Sequence, residues 1–286
     1  MSRPIRLGLY AAFLWGTHSV LVQVLTRDLG AIQIAAMRLG IAAVTLFVVL
    51  KALGQPISIP VRSRYFWLAT GATFVNYILF HMGLERTNAA SAMVLENTAP
   101  FFVLLILVIF LRTPVSVSEV GATLLAIVGV SLTVLEDLFA GGLRLSGDIM
   151  EIGAGLSWAV FLIASSRAMQ ASQSTGERLN FLFGIFLVAA ILFLPIAAPE
   201  AQFPKLRDLL PLGFLGIFAT ALLYYCWYEA AADLSTLTAS LMFALSVVFT
   251  FINAALFLGE TIVPLQLLGA AMIIAGIYLT ARAKQD

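Results

Sequence analysis

Charge is what this sequence has least of. Of its 286 residues only 11% are Asp, Glu, Lys or Arg, while 61% are hydrophobic; a soluble domain carries about 25% charged residues. Sixteen basic and fifteen acidic side chains cannot cover a water-facing globule of this length, and the mean hydropathy of +1.02 agrees. Other scarcities exclude further classes. The single cysteine, Cys226, rules out a disulfide framework and a thiolate zinc site. Two histidines, His18 and His81, cannot build a three-histidine metal centre. A net charge of +1 leaves no footprint for a polyanion, which argues against a nucleic-acid partner. No long polar stretch interrupts the chain, so no soluble domain is expected. What remains is an all-α polytopic membrane protein embedded in a lipid bilayer.

A helix needs about 20 apolar residues to cross the hydrocarbon core. Ten runs meet that length: 7–26, 31–50, 65–84, 89–111, 117–135, 149–168, 179–198, 209–228, 235–258 and 262–281. They are continuous rather than alternating, which excludes a β-barrel, the other way to satisfy a backbone in lipid. Breakers fall between them: Pro56 and Pro60, Pro114, Gly141 and Gly142, Pro199 and Pro204. The first run follows Arg3 and Arg6 but is too long for a signal peptide, and no clean cleavage site follows it. With the N-terminus in the cytoplasm, ten loop Lys and Arg lie inside and five outside, the latter Arg27, Arg86, Arg144, Lys205 and Arg207. The positive-inside bias therefore places both termini in the cytoplasm.

The chain also repeats itself. "AAFLWGTHSV" at 11–20 aligns with "AGLSWAVFLI" at 154–163, setting Trp15 opposite Trp158. Residues 88–111 align with 234–258, and 121–134 with 269–281 after one gap. This divides the chain into 1–140 and 141–286, five spans each, together one transport domain. An odd number of spans per repeat turns the second half upside down in the membrane. Inverted repeats with a site near the midplane at their interface are a secondary-transporter signature. Gly and Ala in "GATLLAIVG" at 121–129 and "GAAMIIAG" at 269–276 let helices approach closely. Spans 5 and 10 are therefore expected at the periphery as scaffold; whether they also support a homodimer is undecided by sequence.

Specific segments carry a resemblance. Trp15-Gly16, "AAMRLGIAA" at 35–43, Pro100 and "FLGETIVPLQLLGAAMIIAGIYL" at 257–279 resemble the drug/metabolite transporter superfamily of bacterial inner membranes, over essentially the whole chain. Within it, the sequence is similar to the aromatic amino-acid exporters. The resemblance implies ten helices, an inner-membrane location and export of small metabolites. Two features depart from the pattern: Arg112-Thr113 follows the fourth span where an acidic residue is usual, and Val247 or Val248 stands where the ninth span would match Pro100.

Ionisable residues inside lipid are functional suspects. Arg38 and Glu96 each lie seven residues into their spans, about 10 Å deep at 1.5 Å per residue. Equal depth and opposite charge suggest an ion pair holding helices together, with direct substrate contact by Glu96 as the other reading. Helical spacing puts Thr73, Asn76, Tyr77, Phe80 and His81 on one face, as it does Trp15, His18, Ser19 and Val22, and Met93, Glu96, Asn97 and Pro100. Such stripes should turn inward to a shared cavity. The matching inverted positions offer Tyr224, Tyr225, Trp227, Tyr228, Trp158, Met242 and Ser246, so the cavity would be polar towards the outside and aromatic towards the inside. The candidate substrate residues are accordingly Trp15, His18, Asn76, Tyr77, His81, Glu96, Asn97, Trp158, Tyr224, Tyr225, Met242 and Ser246. Each has a plainer reading. Trp227 and Tyr228 suit an interfacial belt, the histidines suit packing as well as proton transfer, and Pro100 suits either gating or close packing.

No GxxxxGK[ST], HExxH or GxSxG occurs, which argues against ATP hydrolysis and against an intramembrane enzyme; no cofactor or metal is expected. Spans 6–10 carry no interior Lys or Arg, which argues against phosphate-bearing substrates. Aromatic walls with amides, histidines and a carboxylate suit an amphipathic zwitterion, hence amino acids, aromatic or broadly neutral. Lipophilic cationic drugs are the alternative substrate, and a passive channel the alternative mode. The orientation is directly testable: a phosphatase reporter fused after Asp286 should be inactive and a cytoplasmic fluorescent reporter active, and the reverse pattern overturns the topology.

Overall fold

The computed structural model describes residues 3–86, 92, 95–133, 135, 145–258 and 262–282. Met93, Gly141, Gly142, Arg144, the start of the fourth span and the side chain of Ser19 lie outside that description. Ten helical rods follow one another, with no strand among the described residues. They are α1 (Arg3–Leu25), α2 (Ala31–Ala52), α3 (Arg64–Leu84), α4 (Ala99–Leu105, continued by a π turn at Ile106–Phe110), α5 (Val117–Thr133), α6 (Leu145–Ala171), α7 (Thr175–Ala197), α8 (Leu206–Ala231), α9 (Thr236–Leu258) and α10 (Pro264–Arg282). The fold is that of a polytopic membrane protein.

The helices start and stop where the sequence changes chemistry. Ser116 and Glu119 cap α5 reciprocally: the Ser116 N–H donates to Glu119 Oε2 at 2.8 Å, and the Glu119 N–H to Ser116 Oγ at 3.2 Å. Ser174 accepts from the Glu177 N–H at the head of α7. Five rods, α2 and α6 to α9, are long and apolar enough to cross a membrane. α3 carries polar residues of the interior along its length, among them Asn76 and His81.

Packing partners repeat when α1–α5 are exchanged for α6–α10. α1 packs antiparallel on α8 as α3 packs on α6, α1 lies along α9 as α6 lies along α4, and α2–α7 and α5–α10 pair across the exchange. α5 and α10 touch chiefly each other, α4 and α9. Their approach depends on missing side chains. A Cβ on Gly129 would stand 2.6 Å from the Gly269 carbonyl oxygen, and one on Gly276 2.6 Å from that of Ala122.

Ionic clusters mark the two ends. At one, Glu229 at the end of α8 receives Arg178 at 3.0 Å and Arg3 at 3.3 Å. At the other, Asp28 after α1 receives Lys205 and both Nη2 and Nε of Arg207, the last at 2.9 Å. Hydrogen bonds from Lys205, then Arg207, hold the Asp28 carboxyl below its ordinary value of 3.8. Its folded value lies below its unfolded one, so its contribution is present above pH 3.8 and lost as pH falls through the folded value.

Two predictions follow from this packing. Gly129→Ala should destabilise the protein by about 1–3 kcal/mol through overpacking. Gly121→Ala, where nothing lies within 4 Å, should be neutral or gain up to about 1 kcal/mol from helix propensity; equal thermal midpoints in detergent for the two variants would contradict the helix contact. Asp28→Asn should lower the melting temperature at neutral pH, and the difference from the unmodified protein should shrink once pH drops below 3.8, as thermal melts across pH would record.

Candidate functional site

α1, α2, α3, α6, α8 and α9, with Glu96 from the segment just before α4, converge on an interior chamber. Eleven side chains line it: Trp15, His18, Arg38, Asn76, Tyr77, Phe80, His81, Glu96, Trp158, Tyr224 and Phe243. All eleven are buried. The cavity measures about 20 Å³, room for about one water molecule.

The chamber owes its polar wall to helical spacing. Asn76, Tyr77, Phe80 and His81 stand on consecutive turns of α3 and face inward together. Asn76 Nδ2 donates to Glu96 Oε1 and to the Ala154 carbonyl, both at 3.1 Å. Because a carbonyl only accepts, Nδ1–H donates in both histidines, His18 to Trp15 O at 3.0 Å and His81 to Tyr77 O at 2.8 Å. The second ring nitrogen of His81, Nε2, is buried with no partner among the described residues. The aromatic wall is built from both halves of the chain. Trp15 and Trp158 meet edge to face at 5.9 Å and 89°, and the Tyr77 and Tyr224 hydroxyls stand 3.4 Å apart. Phe243 packs against Trp15 at 5.1 Å.

Beyond Trp158 and Tyr224, towards the Glu229 end, lies a buried aromatic layer. Phe161 stacks on Trp158 at 4.5 Å, and Phe181, Phe186, Trp227 and Tyr228 are buried with it. Tyr228 bonds Ser165 Oγ at 3.1 Å and Trp227 Nε1 donates to Ala239 O at 3.3 Å. Trp227 and Tyr228 are thus interior rather than interfacial.

Several expectations need correction. Arg38 and Glu96 form no ion pair with each other. Arg38 Nε instead donates to Thr220 Oγ1 at 3.1 Å and Nη2 to Ala219 O at 3.4 Å, and the guanidinium lies over the Tyr77 ring at 4.8 Å. The acceptors belong to a π turn, Ile217–Leu222, inside α8. α2 comes this close because Gly216 has no side chain; a Cβ there would stand 2.5 Å from Ile41 Cβ. Four expected lining residues are elsewhere. Tyr225 sits about 100° round α8 from Tyr224 and faces an outer groove with Leu46, Val49 and Phe218. Met242 lies over Gly8, and the Ser246 carbonyl over Gly16, where α1 crosses α9. Asn97 is buried in the turn where the helix breaks after Glu96. Pro100 does not kink a continuous helix. It stands in the first turn of α4, where its missing N–H costs nothing.

Sequence reasoning missed Phe243, and took Arg38 for a structural charge alone. A signal for Phe243 existed: setting Val247 opposite Pro100 puts Phe243 opposite Glu96. Glu151, near the start of α6, is fully buried against Gly83, and neither of its oxygens has a partner among the described residues. Among the described residues no group of three His, Cys, Asp or Glu could hold a metal ion.

Comparison with known proteins agrees with this architecture. The threonine/homoserine exporter RhtA of Escherichia coli K12 is 28% identical over 258 residues, 88% of this chain and 83% of that protein. An uncharacterized transporter of Archaeoglobus fulgidus is 25% identical over 99% of this chain and 100% of its own length. A crystal structure with 17% identity superposes with a TM-score of 0.79, covering 99% of this chain and 98% of that one. Residues 3–135 and 145–282 each match the EamA-like transporter family. The polar chamber thus lies inside a ten-helix transporter, and the chain belongs to the EamA-like transporter family of the drug/metabolite transporter superfamily.

Proposed function

We propose that the protein is a secondary transporter that exports small neutral amino acids across a bacterial inner membrane by alternating access. The observation that carries this reading is the chamber itself. It is deep in the bundle, polar on one wall and aromatic on the other, and drawn from both halves of the chain. The halves, 1–140 and 141–286, act as inverted five-helix repeats around it, with both termini cytoplasmic. With room for about one water, this conformation admits no amino acid, so binding requires the walls to part. A pore that small also speaks against a passive channel.

Substrate size and polarity narrow the class. The named activity of the bacterial relative, threonine and homoserine export, favours small hydroxylated amino acids over the aromatic ones. Aromatic walls and Glu96 would also suit a lipophilic cation, but Arg38 faces the same space and repels one. A phosphate dianion would meet one arginine and a carboxylate together, a poor receptor.

The test is counterflow in proteoliposomes loaded with unlabelled threonine. Labelled threonine should enter saturably and faster than into empty vesicles. Trp158→Ala and His18→Ala should each cut the rate at least about tenfold, with the monodisperse elution of the unmodified protein retained. Non-saturable flux indifferent to internal threonine would establish a channel. Unchanged rates in both variants would remove the chamber from the transport path.

A further inference from the structure

The chamber holds a cation and a carboxyl group that are kept apart. Arg38 is 2% exposed and Glu96 5%, and both line the same cavity. Arg38 spends its bonds on neutral acceptors, Thr220 Oγ1 and the Ala219 carbonyl, and on the face of Tyr77. Its Nη1 group donates to none of the described residues. Glu96 takes its bond from the neutral amide of Asn76. Direct pairing would be the cheapest way to bury two opposite charges at matched depth. The fold instead fixes each in place with neutral neighbours.

From this juxtaposition we infer that Arg38 and Glu96 are the two poles of a zwitterion receptor: Arg38 takes the ligand's carboxylate and Glu96 its ammonium. Charge-assisted bonds at both poles are shorter and stronger than neutral ones, and a guanidinium matches a carboxylate's planar geometry. A simple cation would face Arg38 without a counter-charge, and a simple anion would face Glu96. Only a ligand bearing both charges a short distance apart satisfies the two walls together. Its side chain would then lie on Trp15, Trp158 and Phe243. Arg38 and Glu96 are thereby substrate-contacting specificity residues rather than a helix–helix tie. The inference rests on the transport reading above and adds to it the orientation of the bound molecule.

The test compares three competitors of threonine counterflow in neutral buffer: threonine itself, its methyl ester, which lacks the carboxylate, and 2,3-dihydroxybutyrate, which lacks the ammonium. With the unmodified protein both analogues should compete at least about tenfold more weakly than threonine. Arg38→Gln should weaken threonine by a similar factor and bring the ester level with it. Glu96→Gln should do the same for the hydroxy acid. A purely structural role would lower activity without changing these ratios. The inference is overturned if the unmodified protein accepts the ester as readily as threonine, a comparison that needs no variant to fold, or if either variant leaves its ratio unchanged. Absence of counterflow for any amino acid by the unmodified protein defeats the transport reading itself, and this inference with it.

Discussion

The cost of placing polar groups inside an apolar bundle orders the rest of this structure. Water is not available within the bilayer core to satisfy an amide, an imidazole or a guanidinium. Each such group must therefore find its partner from another helix or from the backbone. Asn76 bridges α3 to α6 through Ala154 O and holds Glu96. Both histidines turn one nitrogen back to their own helix. Arg38 needs more acceptors than a regular helix surface can offer. The π turn of α8 supplies them, exposing Ala219 O and placing Thr220 Oγ1 beside the guanidinium. π turns recur at functional sites for this reason: a widened turn frees a carbonyl that an α-helix would consume.

The two halves share a scaffold and differ in chemistry. Residues that meet at the centre are alike in both halves: Trp15 with Trp158, Tyr77 with Tyr224. Away from the centre the likeness ends. Three residues after the tryptophans stand His18 and Phe161, and four after the tyrosines stand His81 and Tyr228. Glu96 is matched by Phe243 once Pro100 is set against Val247. The first half therefore supplies the chamber's polar wall and the second the aromatic layer beyond it. The symmetry fixes where the site is, and its violation decides which face holds polar groups.

Much of this was legible from residue order. Apolar run length placed the helices closely: α2 was expected at 31–50 and spans Ala31–Ala52, and α9 at 235–258 and spans Thr236–Leu258. Helical spacing found the inward faces of α1 and α3, because a polar stripe exposed to lipid is costly. Rotation about the helix axis was harder. Met242 and Ser246 share a face one residue away from Phe243, and periodicity alone does not say which face meets the chamber. The π turn adds a residue to one turn of α8 without any breaker at the site to announce it. Matched depth found Arg38 and Glu96 together but misjudged their relation, because depth is one coordinate and an ion pair needs three.

The chamber lies between two antiparallel pairs, α1–α8 and α3–α6, and these are fastened by different means. α1 and α8 are tied at both ends by charge, through Arg3 with Glu229 and Asp28 with Lys205 and Arg207. α3 and α6 are tied along their length by the Glu151 side chain seated on Gly83, the Leu79 side chain on Gly153 and the Ser157 hydroxyl on Ala72 O at 2.8 Å. Between the pairs stand aromatic contacts, the Tyr77–Tyr224 hydroxyl pair and the Ser165–Tyr228 hydrogen bond. Each such ring pair is worth only about 0.5–1.5 kcal/mol beyond its burial. This seam runs through the chamber. Separation along it would widen the space between Arg38 and Glu96 while leaving each helix pair intact, and a chamber this small must widen before it can hold anything larger than water.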